Sequence, residues 1–178
     1  MVLRRAALSL VAVLLFTLTA CAPASTPAAT PTATPIGITS EEEAYVAAEA
    51  TYRDYVSALN AYYAGDNPAY DPAEFLSGAP LDEERQVLEG LVARSLRVEG
   101  SVEVASVDRS EATRVADAWS VLLLVCLDYS GTRILDAEDK DVTPQRQEVL
   151  PLTIELATQD QDFVVVDSVV REEAKCSA

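Results

Sequence analysis

The chain has 178 residues, with 29 acidic against 13 basic side chains, no histidine, three cysteines and 49% hydrophobic composition. Such proportions fit one ordinary folded domain and exclude wholesale disorder, a collagen-like rod and a coiled coil. A net charge of −16 rules out a broad phosphate-binding surface, and with it nucleic acid as a partner. The missing histidine removes the commonest general base, the triad imidazole and most zinc sites, so no metal or cofactor is expected.

Residues 1–20 read as a lipoprotein signal peptide. Arg4 and Arg5 supply the positive start, and Ala6 to Leu18 is a mostly apolar run of thirteen residues. As a helix this run would cover roughly 20 Å, against about 30 Å of hydrocarbon in a bilayer, so it reads as a signal and not a span. It ends in Leu18, Thr19, Ala20 and Cys21, the pattern of a bacterial lipobox whose cysteine receives a diacylglyceryl thioether before cleavage. Cleavage would leave 11 basic against the same 29 acidic residues, a side-chain charge of −18. Such a chain repels an anionic membrane, so the expected attachment is through acyl chains, at about 0.8 kcal/mol per buried CH₂. The expected location is the outer face of the plasma membrane.

Residues 21–40 form the lipidated cysteine and a linker. Ala22 to Ser40 is mainly Ala, Pro, Thr and Ser without charge, and Pro23, Pro27, Pro31 and Pro35 recur every four residues. Extended polyproline at about 3.1 Å per residue would hold the following domain up to roughly 60 Å from the bilayer. Cys126 and Cys176 remain as an even pair outside the cytoplasm, where a disulfide is expected; two unpaired buried thiols are the alternative.

The folded part is expected over residues 41–178. Ser40 with Glu43 makes a capping box, and Tyr45, Ala48, Tyr52, Tyr55, Leu59 and Tyr62 follow at helical spacing up to a stop at Gly65. Asp71, Pro72 and Glu74 signal a second, short helix ending by Gly78. A third is predicted over Leu81 to Leu96, with Leu88, Leu91, Val92 and Leu96 as its stripe. Beyond it the period changes to two. Val98, Val102 and Val104 mark a first strand, and Asp108 to Glu111 a turn. Ala112 to Asp128 reads as a long strand, with Val115, Trp119, Val121, Leu123 and Val125 on one side and Leu122, Leu124 and Cys126 on the other. Gln147 to Ala157 and Phe163 to Arg171 complete four strands, joined by a turn at Thr158 to Gln161. Pro151 argues for an edge position or a bulge.

Three N-terminal helices packed on an antiparallel sheet of about four strands define an α+β domain. The element order, the aromatic first helix, the segment Cys126, Leu127, Asp128, Tyr129, Ser130, Gly131 and the closing Cys176 resemble secreted actinobacterial lipoproteins of the nuclear transport factor 2-like (cystatin-like, SnoaL-type) superfamily. The likeness covers most of residues 41–178, although acidic residues around Ala137 to Lys140 replace the glycine usual in the turn there. It implies a curved sheet wrapped around the first helix as a cone, whose open end often holds a ligand, and dimerisation through the outer sheet face in many members.

Candidate sites follow from these placements. Tyr52, Tyr55 and Tyr62 with Trp119 would either line an amphipathic pocket or pack on the sheet as core. Asp117 shares the parity of Trp119 and would point into the cone, where burial raises a carboxyl pKa and suits it to proton abstraction. Asp128 reads as an acceptor for turn backbone. Asp136, Glu138, Asp139 and Asp141 lack the spacing and glycine of a calcium loop. Val121 to Leu127, apolar on both faces, asks for cover from the C-terminal tail or from a second subunit as a homodimer. The expected function is a lipid-anchored, non-enzymatic domain binding a small apolar or aromatic ligand or an envelope protein. An isomerase or dehydratase using Asp117 with Tyr52 or Tyr55, and an envelope scaffold, are the alternatives.

Overall fold

The structure is a computed structural model that describes residues 37–171 and Cys176; the signal sequence, Cys21 and most of the linker lie outside the described residues. Helix α1 spans Glu41–Ala64. The Ser40 hydroxyl accepts from the Glu43 amide, and Glu43 reaches back to the amide and hydroxyl of Thr39 at 2.8 and 2.7 Å, so the cap is shared over two residues. Three glutamates in the first turn complement the helix dipole, and Gly65 closes the helix with φ of 82°. The buried stripe runs Ala44, Ala48, Tyr52, Val56 and Leu59. Tyr45 and Tyr55, expected in the stripe, flank it instead, partly buried and each one position away from a buried residue.

The expected second helix is a single 3₁₀ turn, Pro72–Glu74, capped by Asp71. It goes no further because the chain is drawn out beside the sheet: Val165 donates to the Phe75 carbonyl at 2.8 Å and Ser77 donates to the Val165 carbonyl at 2.9 Å. Helix α2 covers Ala79–Ala93, and Ser95 in a left-handed conformation ends it before Leu96. Within its stripe Leu91 is buried, whereas Val92 is 69% exposed.

The strands are β1 (Arg97–Glu99), β2 (Glu103–Val115), β3 (Ala118–Asp128), β4 (Arg133–Leu135), β5 (Val149–Gln159) and β6 (Asp162–Val170). An antiparallel sheet runs β2-β3-β5-β6, and β1 pairs with β4 separately. Bulges between Val104 and Ser106, between Arg109 and Glu111, and between Glu155 and Leu156 interrupt the register and curve the sheet. The turn expected at Asp108 to Glu111 is therefore strand. As an edge with one covered face, β2 tolerates this charge, and Arg109 reaches the start of α1, 2.5 Å from Glu42 and over the Tyr45 ring. The real turn is Ala116 and Asp117, with Ala116 at φ 57°.

Pro151 lies on β5, which is central and not an edge. Backbone N and O of a residue in an antiparallel strand point to the same side. The Pro151 carbonyl accepts from Arg171, just past the end of β6, so the missing N–H falls where the neighbouring strand stops. The core forms between α1 and the inner sheet face: Trp119, Val121, Leu123, Val125 and Leu127 from β3, Leu152, Ile154 and Leu156 from β5, and Phe163 and Val165 from β6. On the outer face Leu124 and Val169 are exposed, and Cys126 is bonded to Cys176.

A link invisible to periodicity joins helix and sheet. The Asn60 amide mimics a strand: its Nδ2 donates to the Val102 carbonyl at 2.8 Å and its Oδ1 accepts from the Val102 amide at 2.9 Å. Val102 is buried, so Asn60→Ala leaves both backbone groups unpaired. It is expected to cost about 2 kcal/mol, read as a lower urea midpoint at unchanged slope.

Candidate functional site

The core does not fill the space between α1, α2 and the sheet. A cavity of about 250 Å³ adjoins one of about 270 Å³, and Tyr55, Leu59, Glu84, Val87, Val102 and Tyr129 line both. Taken together they reach the lower end of the volumes that bind small molecules, about 300 Å³ and above. The first is floored by sheet side chains such as Leu127, Leu152 and Ile154; the second reaches toward Val98, Thr132 and Arg146. One side of α2 forms a wall of both.

Glu84 is the one charged side chain common to the two compartments. The Tyr55 hydroxyl donates to its Oε2 at 3.3 Å, while its Oε1 is buried without a hydrogen-bond partner. Burial raises the Glu84 pKa above the ordinary carboxylate value, and the Tyr55 hydrogen bond opposes that shift only in part. Tyr52, Tyr55, Tyr63 and Tyr129 have phenol pKa values raised by burial, and for the last three the Glu84 charge adds to the shift. Tyr70 responds in the same way, and its hydroxyl is also buried and unpartnered. Arg146 caps this region through the carbonyls of Tyr129 and Thr132 and the Thr132 hydroxyl, its guanidinium 5.5 Å from the Tyr129 ring centre.

The residues singled out from sequence are divided by the fold. Tyr52 is core on one side and cavity wall on the other, and Tyr55 lines both compartments. Tyr62 packs against Tyr63 and Tyr70, with ring centres 5.9 and 5.6 Å away, and does not line the cavity. Trp119 is buried at the other end of the sheet, its indole donating to the Ile38 carbonyl at 3.1 Å. Asp117 is not in the cone. It sits fully exposed in the β2–β3 turn, 3.6 Å from Arg114, because that turn breaks the parity a continuous strand would have imposed.

Asp128 accepts from the Ser130 amide at 2.7 Å. Asp136 accepts from the amides of Glu138 and Lys140, and Asp141 from Thr143; Asp139 pairs with Arg97 at 2.7 Å. These carboxylates hold turns. Among the described residues no group of three or more His, Cys, Asp and Glu is placed to hold a metal ion, and no helix is long and apolar enough to cross a membrane.

Sequence reasoning passed over Glu84, although a signal existed. Leu81, Glu84, Leu88 and Leu91 follow at steps of three, four and three, so a carboxylate interrupts the apolar stripe of α2. Tyr129, Tyr63 and Tyr70 carried no comparable sign, since their convergence depends on three separate elements.

No family model matches the chain, and no curated protein matches its sequence. Among solved structures, the intermembrane space region of the chloroplast protein ARC6 superposes with a TM-score of 0.51 at 13% identity, covering 69% of this chain and 92% of that one. At that identity the likeness is one of fold, an α+β layering of helices on a curved antiparallel sheet.

Proposed function

We propose that residues 41–178 form a nuclear transport factor 2-like binding domain, held outside the cell by a lipid on Cys21, that takes a small, largely apolar or aromatic ligand into the cone beneath α2. The supporting observation is the unfilled, tyrosine-lined cavity itself. A packed domain seldom leaves such a void without a use, since empty apolar space forfeits contacts. Ring faces of Tyr55 and Tyr129 offer stacking area, Leu127, Leu152 and Ile154 offer an apolar floor, and the unpartnered oxygen of Glu84 offers orientation.

The test is ligand-dependent stabilisation of the full chain in non-ionic detergent. Benzyl and naphthyl compounds are expected to raise the melting temperature of the native protein. Leu152→Trp, which fills the floor, is expected to abolish the rise while keeping the fold. Absence of stabilisation by every such compound would overturn the reading. Mass spectrometry of the native product checks the anchor, for which a cleaved, diacylated Cys21 is expected.

An acid–base reading moves from Asp117 to Glu84. The observation that favours it is the Tyr55 hydroxyl 3.3 Å from a carboxyl of raised pKa. Such a pair can hold or accept a proton beside a carbonyl group. Turnover of an enolisable ketone that disappears in Glu84→Gln would decide for it.

A further inference from the structure

Glu84 and its surroundings are a cage with one charge missing. Buried carboxylates normally meet a cation or several donors, yet Glu84 has Tyr55 on one oxygen and nothing on the other. Among the described residues no lysine or arginine forms an ion pair with it. The nearby cation, Arg146, is engaged with Thr132 and the Tyr129 carbonyl. What surrounds the carboxylate instead is aromatic: Tyr55 touches it, and Tyr63 and Tyr129 line the same compartment. Ring faces carry the negative end of a quadrupole and attract organic cations, most strongly where water is excluded.

We propose that the cone binds an organic cation, a protonated or quaternary amine of choline size or larger, with its charge on Glu84 Oε1 and its alkyl groups against the rings of Tyr55, Tyr63 and Tyr129. The inference rests on the binding reading above and specifies its ligand. A hard metal ion does not suit the site, because a single carboxylate supplies far fewer oxygens than the six or more such ions require. An inorganic or phosphorylated anion is opposed by Glu84 and by a chain net charge of −16, which draws cations toward the domain. Burial favours the protonated carboxyl, so a proton and the cation compete for the same oxygen. The titratable and charged groups facing Glu84 are Tyr55 and Tyr63 of α1, Tyr70, Glu83 of α2, Tyr129 and Arg146. Burial holds the phenols neutral, so binding of the cation is expected to strengthen as pH rises through the Glu84 titration.

Calorimetry on the full chain in non-ionic detergent tests this with benzyltrimethylammonium and its uncharged isostere, neopentylbenzene. The cation is expected to bind at least ten-fold tighter at pH 8. Glu84→Gln, which keeps the shape and should fold at least as well without a buried charge, is expected to erase that preference and its pH dependence. Equal affinity for the two compounds in the native protein overturns the cation proposal and leaves the binding reading standing. Failure of both compounds to bind overturns both. A cation preference that survives in Glu84→Gln also overturns the proposal, since the charge would then be read elsewhere.

Discussion

Replacing Cys126 and Cys176 together by serine is expected to lower stability by about 4 kcal/mol. Their bond closes a loop with a sequence separation of 50 residues, and on the chain-entropy argument a loop of that length restricts the unfolded ensemble by about that amount at 25 °C. For a domain of this size the melting temperature should fall by roughly 15 °C. Cys126 sits in the middle of the sheet, paired with Ser106 on one side and Pro151 on the other, so the bond ties the end of the chain to the outer sheet face. Thermal unfolding followed by circular dichroism checks the prediction. Reductant should bring the native protein down to the level of the double variant and leave that variant unmoved. A loss below about 1 kcal/mol would mean that the tail is held by other contacts or that the unfolded chain stays compact.

Where one physical signal dominated, the sequence was a sound guide. The Ser40 cap and Gly65 stop bracket α1 within a residue, and the alternation from Trp119 to Val125 assigns the two faces of β3 correctly, because one face is buried against α1 and the pleat permits no other register. Errors cluster where a local signal competed with a tertiary one. The charges Asp108, Arg109 and Glu111 looked like a turn, but an edge strand with a solvated face accommodates them. The true turn, at Ala116 and Asp117, uses an alanine in a left-handed conformation that no residue preference announces. That single displacement sent Asp117 out of the cone. The site shows the same division. Tyr52 and Tyr55 were legible from helical spacing, whereas the carboxylate came from α2, where Glu84 occupies a place in the apolar stripe that periodicity assigns to a core residue. A count of apolar residues passes over such a position, but a buried acid inside an apolar stripe is itself a sign of function.

A second large effect is expected at Gly100, which joins β1 to β2. Its φ is 91°, in the region that costs an L-residue roughly 1–2 kcal/mol. A Cβ there would also fall on the Gly131 carbonyl oxygen and crowd the Thr132 Cα. These atoms are backbone and cannot swing aside, so Gly100→Ala must part the β1–Gly131 contact and is expected to cost at least about 3 kcal/mol, roughly 10 °C in melting temperature. Gly90 supplies the control: it lies within α2, and a Cβ there meets only the Arg94 guanidinium at 3.7 Å, so Gly90→Ala should gain about 0.5–1 kcal/mol by helix propensity. The two alanines are then expected to differ in sign under the same unfolding measurement. Gly100 has a further consequence for the cavity, because Val98 on β1 and Thr132 and Ile134 at β4 form the far wall of its second compartment. If that compartment holds part of the ligand, Gly100→Ala should weaken binding well below the midpoint of its own unfolding, whereas Asn60→Ala, with a comparable loss of stability but Gly100 and Gly131 still in contact, should weaken it less. Equal affinity in the two variants would confine the ligand to the first compartment, over Leu152 and Ile154.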